Sequence, residues 1–113
     1  MAAIANLTID QGATFSSDVT VKDANGNAFD LTGYTASAKM AKGFSSTRTR
    51  TSITCTISTP ATTGVVTLAL TADQTTNLDE GRYVYDLEIL QTSSSTVTRV
   101  IEGIITVRPQ VTT

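Results

Sequence analysis

Along this chain apolar and polar residues trade places at nearly every second position, in short runs separated by turn-forming residues. Leu7 and Ile9 stand against Thr8 and Asp10. Phe15, Val19 and Val21 share one phase, with Ser16, Asp18 and Thr20 in the other. Tyr34, Ala36, Ala38 and Met40 repeat the pattern over the Thr35–Lys42 run, followed by Ile53, Cys55 and Ile57, and by Val66, Leu68 and Leu70. The clearest case is Tyr83, Tyr85, Leu87 and Ile89, whose opposite phase holds Arg82, Asp86 and Glu88. A period of two places one face of each run in a core and the other in water, which predicts strands. The last run, Val97 to Val107, is apolar in both phases, and Gly103 sits where the phase blurs. That predicts a bulge or a strand covered on both faces. If uncovered, Val100 and Ile104 form an apolar strip suited to a partner or to self-assembly.

Between the strands lie recognisable turns. Asp23-Ala24-Asn25-Gly26-Asn27 suits a tight turn, because Asn and Gly tolerate positive φ. Thr71-Ala72-Asp73-Gln74 fits a capping box and predicts one or two helical turns, with Leu78 anchoring them to the core. About seven strands, one short helical connection and no helical periodicity predict an all-β, immunoglobulin-like antiparallel β-sandwich. The order Asp79-x-Gly81-x-Tyr83 resembles the start of strand F in immunoglobulin-like sandwiches. That resemblance implies a tyrosine corner, with the Tyr83 hydroxyl bonded to main chain upstream. Tyr85 stands where such domains carry a cysteine.

At 113 residues the chain is long enough for one core and is expected to form a single domain over residues 1–113. Its net charge of −2 lacks the basic excess of a general nucleic-acid binder. The start, Met1 to Asn6, has neither the basic residues nor the apolar run of a secretory signal, and no segment has the length of a membrane span. Threonine is abundant and supplies β-propensity on solvated faces without charge. Cys55 is the only cysteine, so an internal disulfide is impossible; its phase predicts a small buried hydrophobe.

Chemistry-bearing residues are sparse. Without histidine there is no Ser-His arrangement, and one cysteine cannot build a thiolate zinc site. Asp86 and Glu88, at i and i+2, read as a solvated strand face, with Arg99 offsetting them across strands. No catalytic residue, cofactor or metal is expected. Asn6-Leu7-Thr8 matches a glycosylation sequon but reads as strand sequence. The Lys39–Arg50 stretch holds four cations at positions 39, 42, 48 and 50 and no acid. It is either a solubilising hairpin loop or a docking loop, with Phe44 as apolar anchor and Lys42, Arg48 and Arg50 gripping partner carboxylates.

Several segments together resemble small phage virion structural proteins: Ile9-Asp10-Gln11-Gly12-Ala13-Thr14-Phe15, the stretch from Asp23 to Ala36, Gly81-Arg82-Tyr83-Val84-Tyr85-Asp86-Leu87, and Arg99 to Val107. The Asp30-Leu31-Thr32-Gly33 piece is also similar to the immunoglobulin-like N-terminal module of phage baseplate upper proteins. The resemblance implies a non-enzymatic part of the virion, made in the host cytoplasm. Its partners would be the major capsid protein or tail and baseplate proteins, with self-association a further expectation and no nucleic acid or membrane involved. A capsid decoration (cement) protein on the head shell is the first expectation. A tail, neck, baseplate or fibre adaptor is the second. A host-surface recognition module ranks third, because glycan sites favour exposed aromatic platforms and this chain has no Trp.

Overall fold

The computed structural model describes residues 3–43 and 50–111. Eight strands run in chain order: β1 (Ala3–Ile4), β2 (Leu7–Asp10), β3 (Phe15–Thr20), β4 (Tyr34–Ala41), β5 (Thr51–Ile57), β6 (Val65–Leu70), β7 (Gly81–Gln91) and β8 (Thr96–Arg108). A 3-10 turn, Ala61–Thr63, precedes β6, and a one-turn helix α1, Ala72–Thr76, separates β6 from β7. The strand order is β1-β8-β7-β4-β5-β6-β3, with β2 also on β8. The sheet curls over on itself at β5. Thr51 and Ile53 pair with β4, whereas Thr54 to Ile57 pair with β6. One strand thus serves both layers of an immunoglobulin-like sandwich.

The predicted alternation holds with few exceptions. Tyr83, Tyr85, Leu87 and Ile89 are buried and meet Val66, Leu68 and Leu70 of the facing layer in one core. Burying a side chain such as Leu68, fully enclosed here, contributes roughly 1.5–3 kcal/mol. Ala38 is buried and Ala36 half-buried between β7 and β5, as close sheet packing requires. Cys55 is half-buried among these residues, and burial pushes its thiol up to about 11, which keeps it un-ionised.

The turn chemistry also follows the residues. Asp23 Oδ1 accepts from the amides of Asn25 and Asn27, and Gly26 takes φ +84°. Asp30 Oδ1 accepts from Thr32 N at 3.0 Å, and its hydrogen bonds to Thr32 hold the carboxyl below its ordinary range. Thr71 and Gln74 form the capping box reciprocally, and Leu78 is buried beneath α1.

Two features depart from the pattern. β1 and β2 run parallel to β8, not antiparallel, because alternation records which face a residue takes and not which strand lies beside it. The blurred phase of β8 comes from a bulge at Val100: Leu87 pairs with Ile101 but Glu88 with Arg99. Past that extra residue the alternation resumes, so the adjacent Ile104 and Ile105 point to opposite faces, one 41% exposed and the other fully buried. Val100 itself is half-buried against the core, so only Ile104 of the expected strip is exposed.

Gly103 has a different reason from the bulge. A Cβ there would fall on the Ala5 carbonyl, the point where the chain steps from β1 to β2. That carbonyl accepts from the Tyr85 hydroxyl at 2.5 Å, and Ile104 N donates to Asn6 Oδ1 at 3.1 Å. The missing side chain lets the N-terminal strands lie close on β8.

Candidate docking surface

The tyrosine corner anchors one end of the sandwich. Tyr83 is buried, and its hydroxyl donates to the Asp79 carbonyl at 2.9 Å, so Asp79 contributes main chain and not its carboxylate. Desolvation raises the Tyr83 phenol above its ordinary value. Gly81, at φ +121°, turns the chain into β7. Tyr83→Phe is expected to cost about 1 kcal/mol, read from urea midpoints at unchanged slope. Melts that overlay the wild type would show that the corner bond contributes nothing.

Lys42 belongs to this corner. Its Nζ donates to the Glu80 carbonyl at 2.8 Å and lies 4.7 Å above the Tyr83 ring. The side chain is exposed yet already engaged, which makes it a clamp on the corner more than a free docking cation. Arg50, just before β5, lines a shallow trough with Lys39, Asp86 and Glu88. Phe44 and Arg48 lie outside the described residues.

Beside the trough lies the outer face of β4, β7 and β8 with β1. Register sets its rows. Ile104 lies beside Val84, which lies beside Ala41, itself buried. The next row carries Glu102, Asp86 and Lys39, flanked by Ile4 of β1, which is 76% exposed. Arg99 Nε approaches Asp86 Oδ2 at 3.3 Å, and its Nη1 approaches Glu102 Oε2 at 3.6 Å. Arg99 thus offsets Asp86 as expected, but its second carboxylate is Glu102; Glu88 pairs with it only as a strand neighbour. Toward the other end stand Arg82 and the loose Arg108–Asp10 pair at 3.8 Å. Ile4, Val84 and Ile104 surround a shallow apolar depression. The signal for this patch in the sequence is Val84, an apolar residue in the polar phase of β7.

A second cluster escaped the strand pattern altogether. Gln11 donates to the Leu78 carbonyl at 2.8 Å and accepts from Gln110 N at 3.1 Å. Next to it the buried Thr75 hydroxyl accepts from Gly12 N and donates to the Ala13 carbonyl. These residues tie α1, the β2–β3 turn and the end of β8 together. Their role is structural.

Among the described residues no group of three or more His, Cys, Asp or Glu side chains could hold a metal ion, and no helix is long and apolar enough to cross a membrane. No family model matches the chain, and no curated protein matches it. Among solved structures it is similar to InlP of Listeria monocytogenes, at 14% identity and TM-score 0.49 over 95% of this chain and 28% of that one. It is also similar to the Lin-41 filamin domain, at 19% identity and TM-score 0.43 over 89% of this chain and 82% of that one. The NK cell receptor Nkp44 is a third, at 15% identity and TM-score 0.42 over 96% of this chain and 99% of that one. The chain spans under a third of the length of InlP.

Proposed function

We propose that this domain is a non-enzymatic structural part of a phage virion, and first a capsid decoration protein that docks on the head shell. One observation carries the reading. Each segment that resembles virion proteins supplies residues that hold the frame together. Gln11 and Gly12 clamp the β2–β3 turn, Asp30 caps the turn into β4, Tyr83 makes the corner, and Gly103 admits the N-terminal strands. A domain braced at these positions is suited to a mechanical task. Bridging neighbouring shell subunits is such a task, and many weak contacts on one particle sum to firm attachment.

The docking element in this reading is the basic stretch, with Phe44 as apolar anchor and Arg48 and Arg50 gripping partner carboxylates. Replacing all three by serine is expected to leave the fold intact and to lower the copies retained per purified particle. What binding remains becomes less sensitive to salt, because the attraction that ions screen has been removed. Quantitative gels of particles purified at low and high salt measure this. Unchanged occupancy rules the loop out as the docking element. Cryo-EM of intact particles decides location: density only on the tail, neck or baseplate replaces decoration by the adaptor role, and absence from particles overturns the virion reading.

A further inference from the structure

We infer that the open side of the sandwich, along the free edge of β3, is a slot for one added strand. The strand would come from an extended arm of a neighbouring polypeptide, apolar in alternate positions and carrying a lysine or arginine in the other phase. The proposal goes beyond virion docking and is tested on the isolated protein, so its failure leaves that reading untouched.

The two layers are unequal. Beyond the shared β5, one layer continues through β4, β7 and β8 to β1 and β2, which follow one another along β8. The other continues only through β6 to β3. The longer layer overhangs the shorter along this side. A cleft of about 430 Å³ opens beneath the overhang, between Ala5, Leu7 and Val100 on one side and Asp18, Val19 and Thr20 on the other. A second cleft of about 320 Å³ extends the opening past Leu7 toward Phe15 and Ser17. Leu7 is in the core phase of β2, two residues before the fully enclosed Ile9, yet it stays half-buried, as do Ala5 and Val100. What they lack is cover from the shorter layer.

The β3 edge shows what kind of group fits. Val21 N donates to Gly64 O at 2.7 Å, and these two residues stand directly opposite each other in the continued β3–β6 register. Main-chain groups of an antiparallel strand alternate sides. Phe15, Ser17 and Val19 therefore bond to β6, while Ser16, Asp18 and Thr20 turn their N–H and C=O outward. Among the described residues nothing bonds to those outward groups. Donors and acceptors at two-residue spacing over about 14 Å match one extended main chain and no compact ligand. Nor is the edge guarded, since β3 has no proline, lysine or bulge. The overhanging β1 and β2 stand where the facing layer of a second sandwich would lie, so the occupant is a single strand.

Side chains set the rest of its chemistry. Residues of the added strand that point inward lie under Ala5, Leu7 and Val100 and beside Val19, an apolar setting. Those that point outward stand beside Ser16, Asp18 and Thr20, all exposed. Asp18 is the charged member of this row. Its Oδ1 accepts from the Thr67 hydroxyl at 2.7 Å, and it makes no ion pair among the described residues. A cation directly across from it is favourable, as for opposite charges on any two neighbouring strands. Lys22 stands at the end of the cleft and disfavours a second cation there. So short an arm binds weakly, because it is ordered only on docking, but many copies side by side sum to firm attachment.

The probe is a nine-residue strand of alternating threonine and valine, with lysine in place of the central threonine. It is fused after Thr113 through a twelve-residue Gly/Ser linker, whose reach of on the order of 20 Å covers β3 in either direction. Hydrogen exchange followed by NMR reads the amides of Ser16, Asp18 and Thr20. They are expected to exchange rapidly in the native chain and at least about tenfold more slowly in the fusion, whether the strand folds back or enters a neighbouring copy. The melting midpoint is expected to rise by about 5 °C. A control fusion carries proline at the two threonines nearest the lysine. It keeps the apolar face and the charge but removes N–H groups that face β3, and is expected to behave as the native chain. Asp18→Lys is expected to weaken protection by the lysine strand, and protection returns when glutamate replaces that lysine. Melting curves establish that each protein is folded. Should Asp18→Lys not be, Asp18→Asn takes its place and is expected to abolish the preference for lysine over glutamate. Slow exchange of the three amides in the native chain, protection no greater than in the proline control, or charge changes without effect overturns the proposal.

Discussion

Replacing Gly103 by alanine is expected to lower stability by about 3 kcal/mol, an effect at the upper end for adding one methyl group to a packed site. In a domain of this size that moves the melting midpoint down by about 10 °C. The cause is space and not backbone freedom. The new Cβ would fall on the Ala5 carbonyl, a main-chain atom that has no rotamer by which to move aside. Displacing it breaks the Tyr85–Ala5 bond and strips the Ala5 N–Glu102 O bond that continues the β1 pairing. Tyr85 is 3% exposed, so a hydroxyl deprived of this acceptor has little access to water. A second measurement isolates the mechanism. Once residues 1–6 are deleted, the obstacle is gone, and the same Gly103→Ala change is expected to cost nearly nothing. Equal penalties in the full-length and truncated proteins would show that the N-terminal strands are not what Gly103 accommodates.

Thr75→Val is the other large effect, expected at about 2 kcal/mol. Valine has the shape of threonine and fills the same space, so packing is preserved and only the hydroxyl is lost. That hydroxyl is fully buried, accepts from Gly12 N at 3.1 Å, and donates toward the Ala13 carbonyl at 2.9 Å and the Ala72 carbonyl at 3.1 Å. Without it the half-buried Gly12 amide loses its partner, at roughly 1–3 kcal/mol for such a group, while the carbonyl of the exposed Ala13 can turn to water. Thr75→Ser keeps the hydroxyl and loses one methyl group, so it is expected to cost only about 1 kcal/mol. The comparison is made by urea unfolding. If serine and valine prove equally damaging, the methyl contact and not the hydrogen-bond clamp holds the β2–β3 turn.

Both positions show where reading the chain stops. Gly103 stands out in the sequence as a break in alternation, which admits a bulge at that residue as readily as an obstacle beside it. The bulge lies three residues earlier, at Val100, because register between β7 and β8 is settled by the whole ladder and not by one glycine. Thr75 is one threonine among many on a polar stretch. Only the docking of α1 against the β2–β3 turn brings its hydroxyl within reach of Gly12 and Ala13, more than sixty residues away in the chain.

Local chemistry was legible wherever the partners are near in sequence. The period of two assigned the core faces of β3, β4, β6 and β7, since a strand places alternate residues on opposite sides whatever it pairs with. Thr71 with Gln74, Asp23 with Asn25 and Asn27, and Tyr83 with Asp79 lie within four residues of each other, so their geometry follows from the residues alone. Tertiary structure decided what joins distant segments: the parallel seat of β1 and β2 on β8, the sharing of β5 between layers, and the Lys42 clamp on the corner. It also made a surface of Arg82, Val84, Asp86 and Ile104. Periodicity says that a side chain points outward, but only strand order and register determine which other outward side chains stand beside it.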